Sequence, residues 1–251
     1  MKIAGLWRYP VKSMRGEKLV EAELTPTGLD RDRHYGLLDP QRGTILSAKR
    51  EARLLEAQAL LAGSELTIRL PNGETVLGVG PAVDRALSDW LGRPVRLVEA
   101  TGGGRATFEN ISDFEDDQSA PTSWEGPPGS FVDACPVHLL TTASLAAAEA
   151  ERPDLQWAPV RFRPNVLVEV EGADTAELGW VGRQVRVGEA VLDVWLGCPR
   201  CVVPTRAQPG GVARQLDVMR HLAAAHDGAF GVLSGVARPG RLAVGDRVEV
   251  L

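Results

Sequence analysis

The stretch Glu65–Val79, ELTIRLPNGETVLGV, decides the reading of the amino-terminal half. Apolar and polar residues alternate on both sides of Pro71, and Asn72-Gly73 is the pair best suited to the positive φ angles of a tight hairpin turn. Outward from this hairpin, KIAGLWRYPV from Lys2, EAELTPTG from Glu21, RHYGLLD from Arg33 and TILSAKR from Thr44 are short strand-like runs separated by Gly, Pro or Asn. A small barrel or sandwich is expected over the first hundred residues. One helix interrupts it at AVDRALSDWLG, where Val83, Leu87 and Trp90 recur at helical spacing and Gly92 supplies the stop, and PVRLVEA returns to strand.

Residues 101–130, TGGGRATFENISDFEDDQSAPTSWEGPPGS, are rich in Gly, Pro, Ser and acid and have no sustained apolar period. They are expected to form a long loop, a connector or a lid, and the domain boundary is placed just before it, giving 1–98 and 99–251. In the second part HLLTTASLAAAEAE reads as a strand running into a helix capped at Thr141 or Thr142. NVLVEV, RQVRVGEAVLDVWLG and RLAVGDRVEVL read as strands, and Val212, Leu216, Met219 and Leu222 mark a further helix. The fold class is α+β and β-rich.

A chain of 251 residues with three cysteines buries enough apolar surface to stand without disulfides or a structural metal. The amino terminus MKIAGLWRYPVKSM carries no signal-type apolar stretch, and no run reaches the roughly 20 apolar residues of a membrane helix, so a cytoplasmic protein is expected. A net charge of -5 argues against generic nucleic-acid binding. Only four of the 28 basic residues are Lys, and Lys2, Lys12, Lys18 and Lys49 all fall in the first fifty positions.

Two of the cysteines form CPRC, Cys198 to Cys201. With His221 and His226 they have zinc-like letters, but the intervening spacing is too long for a small finger, and two histidines five apart lie about 140° around a helix. A dithiol exchange site needs a helix amino terminus, whereas CPRC follows a strand-like run and leads into VVPT. Two small buried residues, or a single soft thiolate offered to a metal or an electrophile, remain open. Lys12 and Ser13 in YPVKSMRG, Arg31 and Arg33 in GLDRDRHYGLLD, and Arg161, Arg163 and Asn165 in RFRPNVLVE are donors at strand ends, a mixture that suits a phosphate and a hydrogen-bonding heterocycle. Each alone also reads as a solvated face or a turn.

Taken in order, YPVKS, GLDRDRHYGLLD, LSAKRE, DACPVHLLTTASL, RFRPNVLVE and CPRCVVPT resemble the MOSC proteins that carry an amino-terminal β-barrel domain, the group that includes the mitochondrial amidoxime-reducing component and its bacterial counterparts. The resemblance runs from Lys2 to Leu251. It implies a MOSC β-barrel with a few helices behind the small barrel, a molybdenum cofactor with a pterin and a phosphate, and no need for pyridoxal phosphate. By position, Cys201 would be the metal ligand and catalytic centre. Lys12, Ser13 and Arg33 would hold the anionic end of the cofactor, while Asp133 with the backbone of Ala134 and Cys135, and Arg163 with Asn165, would address the pterin and phosphate. The implied activity is reduction of N-hydroxylated or N-oxide compounds with electrons from a separate protein, since three cysteines cannot supply the four thiolates of an ordinary iron–sulfur cluster. A sulfur carrier using a Cys201 persulfide and a carrier of the cofactor are the alternatives.

Overall fold

The computed structural model describes every residue except Thr101, Ser112 and Ala173. The chain forms two compact units whose segments alternate along the sequence. The first comprises Met1–Trp7, Lys18–Asp30 and Cys135–Leu251; the second comprises Arg8–Glu17 and Arg31–Ala134. This differs from a linear division at 98/99. The reason lies in long-range pairing: the strand Lys2–Arg8 runs antiparallel to Val166–Glu169, with Lys2 opposite Glu169 and Leu6 opposite Val166, and Glu21–Thr25 pairs with Gly240–Ala243. No local pattern announces a partner so far away.

The described helices are α1 (Pro81–Leu91), α2 (Thr142–Glu151), α3 (Pro159–Phe162) and α4 (Asp217–Ala225). The first unit has an eight-stranded sheet whose strands lie in the order Val248–Val250, Gln184–Val187, Ala190–Pro199, Ala229–Arg238, Val137–Thr141, Val166–Glu169, Lys2–Arg8, Glu17–Leu19. Val137–Thr141 and Val166–Glu169 are parallel, and the connection between them carries α2 and α3, as a parallel pair requires a crossover. Thr141, one of the two capping positions the sequence offered, caps α2 by accepting the Ser144 N–H at 3.1 Å. Val137, Leu139, Val166, Val168, Leu192 and Val232 are buried from adjacent strands and form the centre of this unit's core.

Ala229–Arg238, a ten-residue strand at the middle of that sheet, was not expected, because AFGVLSGVAR is interrupted by two glycines. Both are required by neighbours. At Gly231, with φ of 79°, a Cβ would collide with His138 Nε2 and lie 2.7 Å from the Leu139 carbonyl, and at Gly235 it would strike the Trp195 ring.

The second unit has a five-stranded sheet, in the order Arg96–Glu99, Tyr35–Asp39, Thr44–Ile45, Thr107–Ile111, Pro121–Glu125, and a three-stranded meander of Gln58–Ala62, Glu65–Arg69 and Thr75–Leu77. The meander contains the Asn72-Gly73 turn, with Gly73 at φ of 89°. Helix α1 buries Val83, Leu87 and Leu91 and ends at left-handed Gly92. The segment expected to be one long loop instead holds the hairpin of Thr107–Ile111 and Pro121–Glu125, with Phe108 opposite Trp124. Its strands hid because Phe108 and Ile111 are three apart and PTSWE is mostly exposed, so no period-2 signal survives. Thr101 and Ser112 of that segment lie outside the described residues. Among the described residues no helix is long and apolar enough to cross a membrane.

Candidate cofactor site

In the second unit the loops after the first strands gather charge. Val11 and Tyr35 form a bridge, and the Lys12 N–H donates to the Tyr35 carbonyl at 2.8 Å, which fixes the chain where Lys12 leaves it. The Lys12 ammonium, 5% exposed, donates to the Phe131 carbonyl at 2.8 Å and to Asp133 Oδ1 at 2.7 Å, over the Phe108 ring. Lys49 reaches Asp133 Oδ2 at 3.3 Å and lies 3.8 Å from the centre of the Trp124 ring. Burial pulls the Lys12 pKa down to about 8, against the opposing pull of Asp133. Desolvation would raise the Asp133 carboxyl, but the charges and hydrogen bonds of Lys12 and Lys49 outweigh it and hold it well below the usual carboxylate range, although 47% of this side chain is exposed. Ser13 Oγ accepts the Ala48 N–H at 2.9 Å, so Ser13 also positions the loop that bears Lys49. Arg33 pairs with Asp32 and stacks 4.3 Å over Tyr9, whose N–H donates to Asp32 Oδ1 at 2.7 Å.

In the first unit the strand Ala190–Pro199 delivers Cys198, and the chain then turns through Arg200 and Cys201 into a single 3-10 turn, Val203–Thr205, with no α-helix amino terminus behind the thiols. None of the three cysteines is in a disulfide; Cys198 is buried, Cys135 and Cys201 half-buried. Arg200 Nη1 donates to Cys198 Sγ at 2.8 Å and lies 3.5 Å from His138 Nε2, while Nη2 donates to the Phe162 carbonyl at 2.9 Å. Burial pushes the Cys135 thiol up, and the neighbouring Cys198 sulfur adds to that. Cys135 therefore stays protonated near neutral pH. Asn165 is buried, its side-chain oxygen accepting the His138 N–H at 3.2 Å and its amide donating to the Trp7 carbonyl at 3.3 Å. Arg161, fully buried, donates to the carbonyls of Pro204 at 2.9 Å and Ala213 at 2.8 Å and to Gln215 Oε1 at 2.7 Å, so it ties down the chain that follows Cys201.

The backbone singles out several of the residues named from sequence. Among the described residues, five that are not glycine have positive φ: Ser13 (69°), Arg31 (57°), Arg33 (49°), Arg163 (55°) and Asp227 (50°). A left-handed residue with a Cβ costs about 1–2 kcal/mol. Ser13, Arg33 and Arg163 belong to the set implied by the resemblance, and strain of this kind gathers where a side chain must be aimed. The second unit brings Lys12, Asp133 and Arg33 into its charged loops, and the first holds Cys135, Cys198, Arg163 and Asn165. Sequence reasoning did not single out Lys49, Asp32, Arg200 and His138, which make contacts within these clusters. For Lys49 a signal was available, since it is one of four lysines and lies in the quoted LSAKRE.

Two family models match the chain: the MOSC N-terminal beta barrel domain over residues 1–118 and the MOSC domain over residues 127–249. The chain belongs to the MOSC proteins, with the amino-terminal barrel domain in place. Among curated proteins it is 28% identical to mitochondrial amidoxime-reducing component 1 of Homo sapiens, covering 99% of this chain and 82% of that one. It is 26% identical to mitochondrial amidoxime reducing component 2 of the same organism, covering 98% and 82%. Among solved structures, the YUAD protein from Bacillus subtilis matches with a TM-score of 0.47 at 11% identity, covering 99% of this chain and 94% of that one.

Proposed function

We propose that this protein is a molybdenum-cofactor-dependent reductase of N-hydroxylated or N-oxide compounds that receives its electrons from a separate protein. The observation that carries the site assignment is the positive φ at Ser13, Arg33 and Arg163, three residues that the family resemblance assigns to the cofactor. Relatedness over nearly the whole chain to proteins named for amidoxime reduction supports the activity.

The donor set suits the group. Lys12, Lys49 and Arg33 bring three cations against the carboxylates of Asp32 and Asp133, which leaves an excess positive charge for a phosphate. Asp133 acts by holding both ammonium groups, so its part is orientation, and the backbone of Ala134 and Cys135 supplies the polar contacts to the pterin. Arg163 adds a guanidinium, and Asn165 holds the strand ends of His138 and Trp7 in place. Cys201, a free half-buried thiol just beyond a strand end, offers a soft sulfur ligand. When bound, the cofactor supplies a metal that changes oxidation state as substrate oxygen is released.

Purified protein should contain molybdenum and a fluorescent oxidised pterin in equal amounts, and should consume a reduced viologen only when an amidoxime is added. Stoichiometric cyanide-labile persulfide on Cys201 without molybdenum would overturn this reading in favour of sulfur transfer. Bound molybdenum without turnover on any N-oxygenated compound would make the protein a carrier.

A further inference from the structure

We propose that Glu151, His221 and His226 form a site for one divalent transition cation of the zinc class, which joins the carboxy-terminal ends of α2 and α4. Glu151 is the last residue of α2, His221 lies within α4, and His226 is the residue that caps α4. The five-residue spacing would set the two imidazoles on different faces of a continuous helix. They converge because the helix ends at Ala225: His226 has φ of -131° and ψ of 24°, and its ring centre comes back to 5.4 Å from that of His221. Both Nε2 atoms meet the same carboxylate oxygen, Glu151 Oε2, at 2.7 and 2.8 Å. Among the described residues this is the group of three metal-type side chains whose ligand atoms all lie within 4.8 Å of one another.

The surroundings suit a cation. Trp157 meets the His221 ring edge-on at 5.7 Å, Phe230 meets His226 at 6.3 Å, and the two aromatic rings touch each other at 5.8 Å, so both imidazoles are oriented by packing. The histidine side chains are only 13% and 8% exposed, whereas Glu151 is 43% exposed, which leaves one side open for water ligands. A carboxylate oxygen only accepts, so at these distances each imidazole donates from Nε2 to Glu151. With the proton on Nδ1 instead, both Nε2 lone pairs point towards Glu151 Oε2, and a cation held among the three atoms replaces the two hydrogen bonds. Metal–ligand lengths of about 2.0–2.2 Å at a tetrahedral centre set ligand atoms about 3.3 Å apart, about half an ångström more than the present imidazole–carboxylate distances. Two imidazoles with one carboxylate select zinc, cobalt, nickel or copper over magnesium and calcium. The site is independent of the cofactor reading.

The test is a titration of chelator-treated full-length protein with Zn2+ against a chromophoric competitor, in the wild type and in a Cys198→Ser/Cys201→Ser background, with Co2+ absorption recorded in parallel. One equivalent should bind in both backgrounds, and the Co2+ spectrum should show d–d bands without thiolate charge transfer. Glu151→Gln, His221→Gln and His226→Gln should each weaken affinity at least about 10-fold, since even outer partners of a metal ligand are worth that much. Mg2+ should not compete. Absence of saturable binding, or binding that survives His226→Gln and disappears with the cysteines, would overturn the proposal. The wild-type Co2+ spectrum decides the donor set even where a variant folds poorly.

Discussion

In the second unit two ammonium groups share one carboxylate; in the first a guanidinium faces a thiol. Lys12 and Lys49 are buried cations that depend on Asp133, and removing that carboxylate leaves two like charges facing each other, relieved only by the solvent that reaches the exposed half of Asp133. Arg200 keeps the Phe162 carbonyl as a partner if the Cys198 sulfur is replaced. A charged cluster is therefore only as secure as its central counter-ion, whereas a polar cluster with spare acceptors tolerates loss of one member. Substitutions can break that contrast.

The largest effect is expected at the thiols. Cys201→Ser should lower amidoxime reduction by at least about 100-fold, because loss of a metal's direct ligand exceeds the loss of an outer partner. Cys198→Ser should keep most activity, since a hydroxyl accepts the same Arg200 hydrogen bond. Equal losses in turnover assays of the two variants would make CPRC a two-cysteine site.

Next comes the glycine that packs against His138. Gly231→Ala should cost about 2–4 kcal/mol of unfolding free energy, from the left-handed backbone and the collision with His138 together. Gly235→Ala should cost less, because the obstructing Trp195 ring is 54% exposed and can swing aside. Urea midpoints compare the two, and equal values would remove the backbone argument.

Lys12→Ala and Arg33→Ala should each lower pterin content at limiting cofactor by about one to two orders of magnitude in affinity, the worth of one charge-assisted contact. The pH dependence has a definite sign. Lys12, at about 8 in the fold and 10.5 ordinarily, loses its proton first in the folded state. Anion holding should then be complete well below pH 8, half lost near pH 8 and absent well above it, while this residue's own contribution to stability rises between those two values. Lys12→Arg should carry retention to higher pH, and a flat pterin-retention profile in the wild type would take Lys12 out of the site. Asp133→Asn should cost about 1–2 kcal/mol in a urea melt, less than a fully buried pair because half of that side chain meets solvent, and the smallest change is expected for the stability of Cys198→Ser, where Arg200 keeps the Phe162 carbonyl.

Much of the fold was legible where local rules suffice. The Asn72-Gly73 hairpin, α1 with its Gly92 stop and the Thr141 cap are each set by a few neighbouring residues. The strand Ala229–Arg238 and the hairpin of Thr107–Ile111 with Pro121–Glu125 were not, because one is shaped by rings that approach its glycines from other segments and the other buries too few residues to alternate. For the candidate site the motifs offered Lys12, Arg33 and Cys201, whereas Lys49 against Trp124 and Arg200 beside Cys198 depend on contacts across the fold. The histidines show the same limit: their spacing argued against a shared face until the helix was seen to end between them.

The alternation of the two units along the chain has a consequence for synthesis. The strand Lys2–Arg8 emerges from the ribosome about 160 residues ahead of its partner Val166–Glu169, which at about 5–20 residues per second is a wait of roughly 8–30 s. Throughout that interval Ile3 and Leu6 have no core to enter, and the strand's backbone edge is open to any other nascent strand. The inserted unit, whose segments end at Ala134, can mature during the same interval. The burden on chaperones therefore falls on Met1–Trp7 and Lys18–Asp30, the early segments whose partners are made last.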